Sequence, residues 1–420
     1  MKICVIGLGY IGFPTACLIA GAGHQVVGVD NNTDTVSLLN NGELHIKNEK
    51  GLYELSREVL DTGRLRVKEK PEKADIFIIA VPTPCRESAV LEEKADLSYV
   101  KKAAASILPF LEKGNLVVLE STVPPGTTEK IVGGVLEEAG FRPGEDILLA
   151  VAPERVLPGN IMEELLNNDR LIGGVNEVSG ERAKEFYATF IEGPIYLCHS
   201  RTAEMAKLME NTYRDVNIAL ANELALLAEK AGVNSYEAIE LANNHPRVNI
   251  LKPGPGVGGH CIAEDPWFLI GISPELSPLL QMARRINMEM PAHVLELLHG
   301  LEAENKVERI AVLGASYKAN VGDLRNSPGL RVAELMKSHN KEVTVHDPYL
   351  SEYDGDLREV LREKDLFILA TDHDYYREKL DPEVIVSLMR NNLVIDTRGF
   401  LNESWDKHFQ VARLGVGQNR

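Results

Sequence analysis

The chain reads as an α/β protein in which two doubly wound domains are joined by a central helical segment. Three observations predict this. A strand, a glycine turn and a helix follow one another at the amino end, the same strand order recurs at the carboxyl end, and the longest uninterrupted helical pattern lies between.

The first element is Lys2–Ile6, an apolar run of strand length. It feeds into Gly7-Leu8-Gly9-Tyr10-Ile11-Gly12 and then an apolar helical stretch to Ala22. In such a turn the first glycine permits the tight bend, the second lets a pyrophosphate approach the backbone, and the third lets the helix pack on the strand, so that phosphates rest on a positive helix end. Gly7, Gly9, Tyr10, Ile11 and Gly12 are therefore candidate cofactor contacts. His24–Val29 is the next strand and ends in Asp30, placed to accept hydrogen bonds from adenosine ribose hydroxyls and to repel a 2′-phosphate; Asn31-Asn32-Thr33 offers no arginine to hold one. The expected cofactor is NAD, bound by a Rossmann-like domain.

The two ends repeat. Ile3–Gly7 has a counterpart in Ile310–Gly314, Val27–Asp30 in Thr344–Asp347, Asp75–Ala80 in Asp365–Ala370, and Asn115–Leu119 in Asn392–Asp396. Short apolar runs alternating with helical patterns imply βαβ units and parallel sheets. In the second copy Gly314-Ala315-Ser316-Tyr317-Lys318 lacks the later glycines and gains a tyrosine and a lysine, which points to a different phosphate-bearing ligand. The first domain runs on through strand candidates at Asp146–Ala150 and Leu171–Gly174. The expected divisions are 1–197, 198–303 and 304–420.

The central helix is expected over Ala203–Ala231, ended by Gly232. Lys207, Asn211 and Arg214 stand at i, i+4 and i+7 and so share one face. Spacing alone leaves a solvated stripe and a functional face equally open. Leu208, Leu220, Leu224 and Leu227 are suited to packing on the same helix of a second subunit, so a homodimer is expected.

Composition narrows the class. The 420 residues, 44% of them hydrophobic, suffice for two or three domains. No run is long and apolar enough to span a membrane, and Met1-Lys2-Ile3 enters a strand without a signal peptide, so a cytoplasmic location is expected. The net charge of -17 argues against nucleic acid and anionic lipid as partners. The five cysteines are an odd number without framework spacing; Cys4, Cys17 and Cys198 fall in apolar runs and are expected in the core.

Cys261 differs from these. It ends Pro253-Gly-Pro-Gly-Val-Gly-Gly-His260 and is followed four residues later by Asp265. Glycines let backbone N–H groups approach a reacting atom, and a thiol beside such a loop becomes nucleophilic once a cation or dipole favours its thiolate. The loop taken alone leaves a nucleophile and a plain glycine turn both open, with His260 and Cys261 as metal ligands a third reading; no metal site is expected. Cys85, after Val81-Pro82-Thr83-Pro84, is a rival thiol without the glycine cradle.

Eight spaced motifs carry a resemblance: the Gly7–Gly12 turn, Val81–Pro84, Ser121–Thr128, Ala152–Gly159, Thr202–Leu208, Asn211–Ile218, His245–Leu251, and the cysteine loop with Asp265–Phe268. With them the chain resembles the UDP-glucose/GDP-mannose dehydrogenase family over essentially its whole length. The resemblance implies an NAD-dependent oxidoreductase of nucleotide-sugar metabolism, serving polysaccharide biosynthesis, that oxidises the C6 alcohol of a UDP-sugar twice to a uronate. Cys261 would carry a thiohemiacetal and then a thioester. Lys207 and Asn211 would stabilise oxyanions, Asp265 would orient Lys207 or a water, Glu154 would be the base of the later steps, and Thr122 would hold a water and contact the cofactor. Tyr10, Ile11, Asp30, Thr83, Thr122 and Arg325 match NAD contacts. Arg155, Val156, Arg214, His245, Arg247, Gly258, Tyr317, Lys318 and Arg398 match positions around the UDP-sugar, as do Lys207 and Asn211. Asn326 departs from the usual Arg-Glu-Ser-Pro pattern. His245–Asn249 and His260, where UDP-glucose members usually carry serine, imply UDP-N-acetyl-D-mannosamine as substrate. UDP-N-acetyl-glucosamine and UDP-glucose are alternatives in the same class, and a non-catalytic nucleotide-sugar-binding regulator is the alternative outside it.

Overall fold

The computed structural model describes residues 1–46, 49–86, 95–156 and 159–417, which form two compact units: Met1–Glu210 with Trp267–Pro274, and Asn211–Pro266 with Glu275–Arg420. The first holds β1 (Lys2–Ile6), β2 (Gln25–Val29), β3 (Leu65–Lys68), β4 (Ile76–Ile79), β5 (Leu116–Leu119), β6 (Leu148–Val151), β7 (Arg170–Gly174) and β8 (Ile195–His199). They form one sheet in the order β3-β2-β1-β4-β5-β6-β7-β8.

Both faces of this sheet are covered, and the pleat sorts the side chains. Ile3 and Val5 of β1 enter one apolar cluster, with Phe13 and Cys17 of the helix Gly12–Gly21, while Cys4 and Ile6 enter the other, with Val100 and Ala104 of the helix Ser98–Ile107. Each fully buried side chain of this size contributes about 1.5–3 kcal/mol. Cys4 and Cys17 are thus core residues as expected, but Cys198 is only partly buried because β8 is the sheet edge.

The expectation of a wholly parallel sheet fails at one place. β7 pairs antiparallel with β6, matching Ala150 to Gly174 and Val151 to Gly173, so the chain re-enters the sheet at Arg170, on the side where β6 ends. β8 then pairs parallel with β7.

The second unit contains β9 (Arg309–Leu313), β10 (Glu342–His346), β11 (Leu366–Leu369), β12 (Leu393–Asp396) and β13 (Gln410–Arg413), all parallel, in the order β10-β9-β11-β12-β13. This repeats β2-β1-β4-β5-β6, so the internal repeat extends one strand beyond the four legible in sequence. The repeat also keeps the third glycine, contrary to expectation. A Cβ on Gly12 would lie 1.9 Å from Gly7 O, and one on Gly329 would lie 2.1 Å from Gly314 O. The close approach of helix to turn is the same; in the second copy a longer loop, carrying Tyr317 and Lys318, separates the two glycines.

The central helix spans Ser200–Ala231, and Gly232 leaves it with φ +70°. In the second unit it packs on the helix Pro278–Glu302 through buried polar pairs: Arg284 Nη1 donates to Asp215 at 2.6 Å and Asn222 Nδ2 to Asn287 at 2.9 Å. No helix among the described residues is long and apolar enough to cross a membrane.

Candidate active site

In the first unit the glycine turn has the shape that a dinucleotide needs. Gly7 has φ +92°, and a Cβ there would lie 2.4 Å from Ala80 O. A Cβ on Gly9 would meet nothing within 4 Å, so packing does not demand glycine at that point; its bare backbone leaves room for phosphate at the start of the helix. Asp30 Oδ2 accepts Leu8 N at 2.8 Å and Oδ1 accepts Asn32 N at 2.9 Å, which aims the carboxylate from the end of β2 while leaving lone pairs for a ribose. The residues present fit NAD.

The loops after β4 and β5 are clasped together. Thr83 Oγ1 donates to Thr122 O at 2.7 Å and Ser121 Oγ to Val81 O at 2.6 Å. Glu204, 1% exposed, then pins the second loop to the central helix by accepting Gly126 N at 2.5 Å, Thr128 N at 2.8 Å and Thr128 Oγ1 at 2.6 Å. Burial raises the Glu204 carboxyl above its usual range against these donors. The sequence did not single out a role for Glu204. One turn further on, Lys207 is 8% exposed and makes no hydrogen bond or ion pair among the described residues. That excludes a solvated stripe for Lys207. Arg214, by contrast, is exposed, so the shared helical face does not mean a shared environment.

Glu154 is also buried; its Oε1 accepts Arg155 N at 2.6 Å and its Oε2 accepts Arg170 Nη1. The Arg155 guanidinium pairs with Glu210 at 2.7 Å and donates to Asp169 O at 3.0 Å. Val156 packs half-buried against the core.

In the second unit Cys261 is exposed at the head of a tight turn, its carbonyl accepting Asp265 N at 2.8 Å and Glu264 N at 3.1 Å. Asp265, 4% exposed, accepts Asn211 Nδ2 at 2.5 Å. The preceding glycines lie flat against Tyr317. A Cβ on Gly258 would be 2.5 Å from Tyr317 Cβ, and one on Gly259, whose φ is +84°, would be 2.9 Å from the ring. Gly259 N donates to Arg325 O at 2.8 Å, and Asn326 Nδ2 donates to Gly259 O at 3.0 Å and to Glu264 at 3.2 Å. Asn326 thereby acquires a reason: a glutamate there would set a second carboxylate against Glu264. Asn326 also sits at φ +50°, a conformation asparagine tolerates. His260 Nε2 faces Glu264 at 3.7 Å.

Arg325 is tied to Asp323, Nη2 to Oδ2 at 2.6 Å, which raises its pKa against burial, with the Cys261 thiol among the groups acting on it. Arg398 pairs with Asp372 at 3.1 Å, and its Nη1 would lie 2.3 Å from a Cβ on Gly254, so it reaches the head of the cysteine loop. The second unit therefore brings Cys261, Asn211, Asp265, Gly258, Tyr317, Arg325 and Arg398 into one neighbourhood, and Lys318 follows Tyr317 half-buried. It does not do so for His245 and Arg247, which are exposed and contact each other; no contact among the described residues joins them to the loop.

A glycine turn closed on a helix start, opposite a strand ending in Asp30, marks a dinucleotide-dependent oxidoreductase, and the cofactor is NAD. Residues 1–191 match the NAD binding domain of the UDP-glucose/GDP-mannose dehydrogenase family, residues 201–289 its central domain and residues 311–403 its UDP binding domain. The UDP-N-acetyl-D-mannosamine dehydrogenase of Methanocaldococcus jannaschii is 48% identical over 100% of this chain and 97% of that protein. The solved UDP-D-ManNAc dehydrogenase of Pyrococcus horikoshii superposes with a TM-score of 0.93 at 43% identity, covering 99% of this chain and 100% of that one. The NDP-N-acetyl-D-galactosaminuronic acid dehydrogenase of Ralstonia nicotianae is 43% identical over 94% of this chain and 95% of its own length. The chain belongs to the UDP-glucose/GDP-mannose dehydrogenase family, and it is an NAD-dependent UDP-sugar dehydrogenase.

Proposed function

We propose that the chain oxidises the C6 alcohol of UDP-N-acetyl-D-mannosamine in two steps to UDP-N-acetyl-D-mannosaminuronate. The observation that carries this reading is the full-length 48% identity to a relative named for that substrate. The exposed Cys261 on its glycine cradle and the buried, unpaired Lys207 support it.

Bound NAD⁺ accepts the hydride in each oxidation. Lys207 takes the proton of the C6 hydroxyl in the first. The Cys261 thiolate adds to the resulting aldehyde carbon, giving a thiohemiacetal whose oxidation leaves a thioester. Lys207 and Asn211 donate to the oxygen on which charge develops, and Asp265 orients the Asn211 amide. Glu154, with Thr122 holding the water, removes a proton from that water as it attacks the thioester; the C–S bond breaks and Cys261 is restored as thiolate. Tyr10, Ile11, Asp30, Thr83, Thr122 and Arg325 contact the cofactor. Arg155, Val156, Arg214, Gly258, Tyr317, Lys318 and Arg398 contact the UDP-sugar, with arginine forks suited to a diphosphate, while His245 and Arg247, exposed and apart from the cysteine loop, are kept as sugar contacts on the family resemblance alone.

The chain acts as a homodimer in this reading. Of the central-helix leucines expected to pack there, Leu208 is fully buried within its own chain and Leu224 half-buried; Leu220 and Leu227, with Tyr213, recur every seven residues and are 46%, 58% and 64% exposed, an apolar stripe suited to the same helix of a second copy. Light scattering on the eluted protein decides the subunit number.

An NADH assay across UDP-N-acetyl-mannosamine, its gluco and galacto epimers, and UDP-glucose tests the substrate. Two NADH per sugar are expected, with UDP-N-acetyl-mannosamine preferred. A site that hydrogen-bonds an acetamido group leaves buried polar groups unpaired when the analogue lacks it, and discrimination of about 10⁴-fold is then attainable. Equal efficiency on UDP-glucose, or preference for another epimer, rejects the mannosamine assignment and leaves the two-step oxidation untouched.

A further inference from the structure

We propose that Arg170, backed by Glu120 and Tyr187, is a positioning residue for Glu154, and that Glu120 supplies a second carboxylate near the Arg170 guanidinium so that Glu154 can accept a proton without stranding a buried cation. The inference rests on the reading of Glu154 as the base of thioester hydrolysis.

The placement follows from the antiparallel pairing of β6 and β7. Continuing the register Ala150–Gly174 and Val151–Gly173 outward sets Glu154 opposite Arg170, the first residue of β7. Glu120 directly follows β5, the neighbour of β6, and Tyr187 ends the helix Glu177–Tyr187 that packs on β6 and β7. All four side chains are buried: Glu154 is 8% exposed, Arg170 3%, Glu120 2% and Tyr187 0%. Arg170 Nη1 donates to Glu154 Oε2, its guanidinium lies 5.4 Å from the Tyr187 ring centre, and Tyr187 Oη donates to Glu120 Oε1 at 2.6 Å.

The charges acting on Glu120, Arg170 and Tyr187 are those of one another and of Glu154. Among the described residues, the other hydrogen-bond partner of Glu154 is the Arg155 backbone N–H, and the Arg155 guanidinium is itself paired with Glu210. The Arg170 guanidinium thus pairs directly with Glu154 and feels the charge of Glu120 close by. A buried cation left without a counter-charge is strongly unfavourable. If Glu154 were the sole partner of Arg170, each proton taken from the attacking water would create that state. Glu120 removes the difficulty: while Glu154 is neutral, ionised Glu120 balances Arg170. Burial pushes the Glu120 carboxyl up to about 7, against the pull of Arg170, so it changes charge within the working pH range. Tyr187, whose own ionisation burial suppresses, serves as its hydrogen-bond donor.

The test is the pH dependence of kcat for Arg170→Met, Arg170→Lys, Glu120→Gln and Tyr187→Phe, with melting temperatures to establish folding. Removing the cation makes the ionised base harder to maintain, so Arg170→Met should move the acidic limb up by about 1–2 pH units, while Arg170→Lys should stay near the wild type. Removing the competing carboxylate leaves Arg170 to Glu154 alone, so Glu120→Gln should move the same limb down. Tyr187→Phe, which deletes one oxygen, should move it down by less and carries the test if Arg170→Met does not fold. A general loss of packing would not shift one limb in opposite directions. An unmoved or downward limb in folded Arg170→Met, or an unmoved or upward limb in folded Glu120→Gln and Tyr187→Phe, overturns the proposal. Glu154→Gln separates the two readings: intact-protein mass should show a covalent sugar adduct building up. Hydrolysis at the wild-type rate in that variant removes Glu154 as base, whereas adduct build-up with unmoved limbs elsewhere removes only the network.

Discussion

The Asn211 amide donates to the Asp265 carboxylate at 2.5 Å, and the Asp265 backbone N–H donates to the Cys261 carbonyl at 2.8 Å. A side chain of the central helix therefore anchors the turn that presents Cys261, the proposed nucleophile. Asn211→Ala removes that donor and should lower kcat by roughly 10²-fold with a smaller change in KM. Asn211→Asp, which sets two carboxylates in contact, should be worse than alanine above about pH 6, because both cannot ionise at that distance. Steady-state kinetics of the two variants check the order; equal losses across pH would show that the contact is incidental.

Cys261→Ala should abolish uronate formation while NAD and UDP-sugar still bind, since the cradle is built from backbone, Tyr317 and Asn326 and not from the thiol. Calorimetric titration beside an NADH assay measures both. Two NADH per sugar from this variant would rule out the covalent route.

Lys207→Ala should cost about 10²- to 10³-fold in kcat with little change in affinity, because an oxyanion donor acts mainly in the transition state. Since Lys207 has no hydrogen-bond or ion-pair partner among the described residues, the melting temperature should not fall. A variant with full turnover returns this lysine to a packing role.

Gly259→Ala should destabilise by about 1–3 kcal/mol, because an L-residue at φ +84° is strained and the added methyl would stand 2.9 Å from the Tyr317 ring. Activity should fall with it, since the strain lies two residues before Cys261. Gly9→Ala offers the contrast: among the described residues other than its chain neighbours, no atom lies within 4 Å of the new methyl, so NAD affinity should drop at nearly unchanged stability. Thermal melts and NAD titrations of both variants check this pairing.

His293 couples the two long helices of the second unit. Burial opposes its charge, but Glu229 at 2.9 Å and Glu296 at 3.1 Å more than offset this and raise its pKa above 6.5. A raised histidine pKa contributes stability that is complete below the unfolded value and fades as pH rises through the folded one. His293→Asn should therefore melt below the wild type by about 2–4 °C near pH 6, with the gap closing toward pH 9. A gap that widens with pH would reverse the assigned sign.

Much of the site is legible in sequence because its residues are set by local geometry. Gly7, Gly9 and Gly12 lie within one turn between a strand and a helix, and Lys207 and Asn211 are one helical turn apart, so chain spacing equals spatial spacing. Arg170 and Glu120 are different. No periodicity links them to Glu154, because the contact depends on β7 running against β6, and a five-residue strand reads alike in either direction. β3 and β13 were missed for a related reason: at four residues each, their apolar signal is weaker than that of the turns around them. Gly329 carries no local signal because a longer loop separates it from Gly314; its close approach to Gly314 O, matching that of Gly12 to Gly7 O, exists only in the folded chain.

The amino-acid sequence by itself determined the two doubly wound halves, the NAD turn, the central helix and the glycine cradle before Cys261. Each is written in short-range pattern, where side-chain period and glycine placement dictate conformation. Tertiary structure alone decided which groups stand behind those residues: Glu204 under the loop after β5, Asn326 against Gly259, and Arg170 beside Glu154. These are contacts between charged or polar groups distant in the chain. Their partners are chosen by strand direction and register, and by the need to satisfy every buried charge, neither of which leaves a local trace.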